Sequence, residues 1–277
     1  MESAENQSGP SHRTLLHKLL FAAFFTLLAW WLLVEFQVVS PKYFRLVQGA
    51  LPVIAAVLTI ANLIRRLPVE NAIMAGVYVA GISGVVQIIG LKTGIPFGSF
   101  VYTDDCGARL FGLLPWTIPF VWLVLVLNSR ELARLILRPW RKTEYYGFWV
   151  MGIAAVLTVV LVMELEPFAT QINEFWIWKH SSGLPAWYGT PWVNFLGWFV
   201  TTLIILFITT LWLINKKPVK QEPPDFAPLV VWLALNLFFV IMHARHHLIL
   251  AACFGLVTGF IVTVMALSGA RWEQKLH

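Results

Sequence analysis

Apolar runs of about 20 residues alternate with short polar segments from residue 19 to residue 267. A membrane-crossing helix needs about 20 apolar residues, so each run reads as one span. The runs are Leu19–Phe36, Phe44–Ile64, Val69–Leu91, Pro115–Leu137, Gly147–Glu166, Pro191–Ile214, Ala227–His243 and Leu248–Leu267. Residues 1–14 are polar and read as a disordered N-terminal segment, residues 15–270 as one helical membrane domain, and residues 271–277 as a short tail. Lys216 to Pro224 reads as a surface linker. Only His243-Ala244-Arg245-His246-His247 separates the last two runs, with no Gly or Pro to mark the turn. A single span of about 40 residues does not fit roughly 30 Å of hydrocarbon. The pattern therefore predicts a tight helical hairpin, and a misplaced boundary there would leave seven spans. The predicted fold is an all-α, polytopic transmembrane helical bundle of about eight spans.

Composition supports this pattern. Apolar residues make up 58% of the 277-residue chain and charged residues 12%, against roughly 25% charged in a soluble domain. A soluble enzyme, a disordered chain, a disulfide scaffold and a nucleic-acid binder are excluded on these figures. The two cysteines, Cys106 and Cys253, show no Cys-x-x-Cys spacing. The first apolar run is long and no small-residue cleavage site follows it, so it reads as a permanent span. The net charge of +6 reads as topology. Of the 20 Lys and Arg, six (Lys42, Arg45, Lys92, Arg109, Lys179 and Arg245) fall on one side of eight spans, and the other 14 share the side of both termini. The positive-inside rule then places both termini in the cytoplasm, as expected of a multi-pass protein of the cell (inner) membrane.

Three unusual segments fall on the opposite, outer side. The first, Gly94-Ile95-Pro96-Phe97-Gly98-Ser99-Phe100-Val101-Tyr102-Thr103-Asp104-Asp105, cannot continue a helix through its Gly and Pro. Broken backbone at this depth is tolerated only where protein buries it or it lines a wet cavity. The segment is therefore expected to fold back into the interface. Asp104 and Asp105 are candidate acids or a solvated turn, and Tyr102 a substrate-orienting group or an interfacial aromatic. The second segment is Met163-Glu164-Leu165-Glu166-Pro167. A carboxylate this close to a span end is costly unless paired, solvated or protonated. Two residues apart, the glutamates lie about 200° apart around a helix. Glu164 is expected to face the bundle and Glu166 to sit at its rim, swung toward the loop by Pro167. The competing reading places both in the headgroup layer.

The third segment runs from Phe175 through Trp176, Trp178, Trp187, Tyr188, Pro191 and Asn194 to Trp198. It is an interfacial aromatic belt or a stacking surface for a flat apolar substrate. Asn194 would hold a water or hydroxyl, or bond a neighbouring helix. His243, His246 and His247 share a helical spacing that offers a weak metal-binding alternative, with no acidic residue beside them.

Gly-x-Pro-Phe-Gly-x-x-x-Tyr-Thr from Gly94, the acidic pair before Pro167, and Tyr-Gly-x-Pro-x-x-Asn-Phe-x-Gly-Trp from Tyr188 occur in one order. Together they resemble the carotenoid biosynthesis membrane-protein family that includes the carotenoid 1′,2′-hydratases and the bisanhydrobacterioruberin hydratase. The resemblance covers roughly Val69 to Trp212. Phe100 stands where the family pattern has a second Tyr, and Glu164 and Glu166 stand where it has Asp.

The resemblance implies addition of water to the terminal double bond of an acyclic carotenoid end group, giving a tertiary alcohol. No cofactor or metal is needed for this. The partners it implies are the carotenoid, water and membrane lipid, and no nucleic acid. The least costly route protonates the alkene to a tertiary cation that water captures, and aromatic faces stabilise such a cation. On this reading a buried Glu164 would hold and donate the proton, while Glu166 or Asp104 would position water or reload the proton. Pro96, Phe97, Tyr102, Trp178, Trp187, Tyr188, Asn194 and Trp198 would shape the end-group pocket. Another end-group modification or a non-enzymatic carotenoid or lipid carrier are the alternative functions.

Overall fold

The computed structural model describes residues 12–179, 186–214 and 223–271, with side chains from Leu15 onward. Most of the expected N-terminal segment, most of the expected linker and all but Arg271 of the expected tail lie outside these residues. Eight helices occur among them: α1 (His12–Glu35), α2 (Phe44–Ile64), α3 (Val69–Thr93), α4 (Ile118–Ile136), α5 (Tyr146–Pro167), α6 (Trp192–Leu213), α7 (Ala227–Arg245) and α8 (Ile249–Arg271). All but α4 are long and apolar enough to cross a membrane. The chain is a polytopic helical membrane protein, and the hairpin between α7 and α8 turns within three residues. His247 takes the left-handed conformation there, at φ 61°, where glycine would be usual.

Helix α4 differs from the others because it is the core of the bundle. Fourteen of its 19 residues are buried, and it packs against α2, α3, α5, α7 and α8. Protein, not lipid, surrounds it, which explains how it carries Arg130, Glu131 and Arg134. A buried charge survives only when paired. Glu131 accepts hydrogen bonds from Arg130 and, at 2.9 Å, from Arg134, while Arg130 also donates to the Leu213 carbonyl of α6 at 2.8 Å.

The face where α3 and α5 end carries the irregular backbone. Gly94, at φ 75°, closes α3 by donating to the Gly90 carbonyl. The chain then forms β1 (Phe100–Tyr102), β2 (Arg109–Leu110) and β3 (Leu114–Pro115); after α5 come β4 (Trp176–Trp178), β5 (Ala186–Trp187) and β6 (Thr190–Pro191). Strand β1 pairs with β4 in antiparallel register, Phe100 opposite Trp178 and Tyr102 opposite Trp176. The two-residue alternation of a strand buries all four of these aromatic side chains and leaves Val101 and Ile177 exposed. This pair forms a two-stranded lid whose inner face is entirely aromatic. The expected interfacial fold-back of the segment from Gly94 to Asp105 is thus a strand-forming lid segment whose partner lies 74 to 78 residues further along the chain.

Candidate functional site

The lid covers a small chamber. Phe97, Phe100 and Tyr102 reach it from the lid segment, Trp122 from α4, Asn194 and Trp198 from α6, Gln87 from α3 and Glu166 from α5. Phe97 is wedged against Gly90 and Gly197. A Cβ on Gly197 would stand 2.7 Å from the Pro96 carbonyl oxygen and 2.8 Å from the Phe97 ring. Glycine there lets the lid segment approach α6 at backbone distance. Trp122 and Trp198 stack at 3.6 Å between centroids, with ring planes 9° apart.

Glu166 is the chemical centre of this chamber. Its Oε2 accepts from the indole N–H of Trp176 at 3.0 Å, the indole N–H of Trp178 at 3.1 Å and the hydroxyl of Thr190 at 3.1 Å. Its Oε1 accepts from the Asn194 amide at 2.7 Å. Four preorganised donors thus converge on one buried carboxyl group, a setting built to carry negative charge. Helix α5 runs through Pro167 into a π-turn over Phe168–Ile172. Pro167 therefore does not swing Glu166 outward, and Glu166 is 2% exposed instead of lying at a rim.

Glu164 points elsewhere, as its angular separation from Glu166 requires. It is buried between α5, α7 and α8, where its Oε1 accepts from Asn236 at 2.7 Å, and it lines neither of the cavities described here. A Cβ on Gly255 would meet its Oε2 at 2.7 Å.

Beside the chamber lies a cavity of about 700 Å³ between α2, α4, α5 and α7. Ile118, Val121, Leu165 and Trp176 line both spaces. Arg45 and Ala55 of α2 both line the larger one, and ten residues of helix advance about 15 Å. The cavity therefore reaches from the lid face toward the middle of the bundle. Its apolar walls include Trp31, Leu125, Phe168 and Phe238, and Arg45, Gln48, Asp104 and Arg109 line it at the lid face.

Asp104 is exposed at that face and pairs with Arg109 at 2.8 Å. Asp105 holds the lid face to α2, its carbonyl accepting from Gln48 at 2.6 Å. Burial, with Glu166 and Cys106 nearby, holds the Tyr102 phenol well above its ordinary range, so it remains a neutral hydroxyl. Burial likewise pushes the Cys106 thiol up to about 12, with Arg109 opposing, which keeps it unreactive.

The structure brings Glu166, Phe97, Tyr102, Trp178, Asn194 and Trp198 to one chamber, with Pro96 supporting it from behind. It places Trp187 and Tyr188 apart, over the ends of α5 and α8. The Trp187 indole donates to the Met163 carbonyl at 2.7 Å, and the Tyr188 hydroxyl accepts from the Ala251 amide at 3.2 Å. The three histidines do not converge. His243 is buried against Phe239, while His246 meets Glu35 at 2.6 Å. Among the described residues no group of three His, Cys, Asp or Glu is arranged to hold a metal ion.

Sequence reasoning missed Gln87, Phe100 and Trp122 as members of the chamber and Thr190 as a partner of Glu166, and it placed Trp176 only in the aromatic segment. Gln87 carried a signal, as a buried amide within an apolar span. Trp122 carried none.

No solved structure matches the chain. Over 124 residues it is 32% identical to the bisanhydrobacterioruberin hydratase of Haloarcula japonica. That match covers 44% of this chain and 39% of the relative, so the chain corresponds to well under half of that protein's length. The family model described as carotenoid biosynthesis protein matches residues 47–262, a range that contains every residue of the chamber, and the chain belongs to that family.

Proposed function

We propose that the protein adds water across the terminal double bond of an acyclic carotenoid end group. The observation that carries this reading is Glu166: a buried carboxyl group, held by four donors, in an aromatic chamber that joins an apolar cavity.

Glu166 delivers its proton to the less substituted alkene carbon. The π electrons form the new C–H bond, and the neighbouring carbon becomes a tertiary cation. As charge develops on the carboxyl group, Trp176, Trp178, Thr190 and Asn194 stabilise it, an interaction that strengthens toward the transition state. Trp176, which lines both the chamber and the larger cavity, stabilises the cation by roughly 0.5 to 2 kcal/mol. Water then bonds to the cationic carbon and its released proton returns to Glu166, closing the cycle without a cofactor.

The proton-donor role thus moves from Glu164 to Glu166, because Glu166 is the one that lines the chamber. Glu164 becomes a packing partner of α7 and α8, and Asp104 a polar group at the lid face. The carotenoid chain occupies the larger cavity. Its 15 Å reach holds about half of a molecule as long as the hydrocarbon is thick, roughly 30 Å. The excess of Lys and Arg on the side of both termini supports a cytoplasmic placement of that side, with the lid facing out.

Expression of Glu166→Gln and Glu164→Gln in a host that makes the acyclic precursor tests the assignment. General acid catalysis contributes about 10² to 10⁴. Glu166→Gln is expected to lower hydroxylated pigment at least about 100-fold, and Glu164→Gln to leave it within the same order. Unchanged pigment in Glu166→Gln would overturn the role of Glu166. A non-enzymatic carrier would tolerate both changes.

A further inference from the structure

The two adjoining cavities differ in size and chemistry. The larger holds about 700 Å³ and is mostly apolar. The chamber holds about 30 Å³, and a buried water needs roughly 10 to 15 Å³. That is room for about two or three waters, too little for a branched hydrocarbon terminus. The end group therefore has its place at the junction formed by Ile118, Val121, Leu165 and Trp176.

Polar groups reach the chamber from two directions. Glu166 and Asn194 already bond each other. From α3 comes Gln87, 5% exposed, whose Oε1 accepts from the Tyr102 hydroxyl at 3.3 Å. A carbonyl oxygen has two lone pairs, so Gln87 Oε1 can accept a second donor. The indole N–H of Trp122, which also lines the chamber, has no hydrogen-bond partner among the described residues. Buried donors of this kind are normally satisfied by protein or water.

We propose that the chamber is the water site of the reaction and that Gln87 is the residue that orients the reacting water. This rests on the hydration reading above. One O–H of the water donates to Gln87 Oε1 and the other to Glu166. A lone pair then points to the cation at the junction. When the C–O bond forms, the proton leaves along the second hydrogen bond to Glu166. Without an oriented water the cation has a different fate: it returns a proton and reverts to an alkene. Gln87 therefore sets the partition between alcohol and alkene, and leaves the protonation step to Glu166.

Heavy water separates the two outcomes. Each capture gives a deuterated alcohol, and each failed capture leaves deuterium in recovered alkene whenever a different hydrogen departs. The ratio of alcohol to deuterated alkene, read by mass spectrometry, does not depend on the amount of folded enzyme. Gln87→Met keeps the volume and removes the acceptor. It is expected to lower this ratio roughly tenfold, the effect of one lost hydrogen bond, while deuterium still enters the alkene. An unchanged ratio overturns the proposal, as does a folded variant that neither hydrates nor exchanges. Should Gln87→Met fail to fold, Gln87→Asn withdraws the amide by one methylene and is read in the same way: a lowered ratio supports the role and an unchanged one overturns it. Wild-type protein that forms no alcohol would overturn the hydration reading itself, whereas wild-type hydration with an unchanged ratio in the variants would overturn only the role of Gln87.

Discussion

Glu164 and Glu166 stand two positions apart and occupy unrelated surroundings. The helical repeat accounts for the separation, since about 200° of rotation sends one toward α7 and α8 and the other toward β4 and α6. The donors around Glu166 define its chemistry, and each charge-assisted hydrogen bond is worth about 1.5 to 3 kcal/mol. Asn194→Leu removes the donor 2.7 Å from Oε1. It is expected to slow alcohol formation by roughly 10- to 100-fold, measured as initial rate on purified protein, with Glu166 still in place. The separation of the two glutamates was legible from spacing. Which of them lines the chamber was not, because that depends on Trp176, Trp178 and Thr190, which arrive on strands of two or three residues, too short for a period to be read. Tyr102, Trp178 and Asn194 were recognisable as unusual polar or aromatic residues near span ends. Trp122 was not, since a tryptophan within an apolar run looks the same whether it faces lipid or a chamber.

At the level of elements, the lid is the least predictable part and the one on which the site depends. The Gly-Pro-rich stretch after α3 signalled that the helix stops. Its pairing with β4 was hidden, because a three-residue strand cannot be distinguished from a loop without its partner. The close approach of the lid segment to α6 gives a direct test. Gly197→Ala would place a Cβ 2.7 Å from the Pro96 carbonyl, where a backbone atom cannot yield as a flexible side chain would. A destabilisation of about 1 to 3 kcal/mol is expected, read as a lower thermal midpoint in detergent. Loss of hydration should accompany it, because the segment displaced carries Phe97 and Tyr102. An equivalent midpoint would show that the lid segment packs less tightly on α6 than the structure has it. Helix α4 carries a related lesson. Its apolar run was read as one more span, yet it is the one helix among the described residues that falls short of a membrane-crossing composition and is the buried centre of the bundle, where the Arg130–Glu131–Arg134 network is tolerated because each charge is paired.

Across the whole molecule, the apolar runs set the number and order of helices, and the lid face gathers every unusual segment. The large cavity is a property of packing that no local pattern encodes. Its walls come from α1, α2, α4, α5 and α7, with Trp31 and Phe239 separated by most of the chain. The arrangement joins an apolar cavity to a water-sized chamber lined by one carboxyl group. An acid-catalysed hydration needs these three parts, and the product oxygen must then come from water. The most direct measurement supplies purified protein in membrane vesicles with an acyclic carotenoid in water enriched in oxygen-18. The expected result is a tertiary alcohol that carries the heavy oxygen, formed with or without dissolved oxygen gas and lost in Glu166→Gln. An alcohol without the label, or no alcohol from the wild-type protein, would contradict the account.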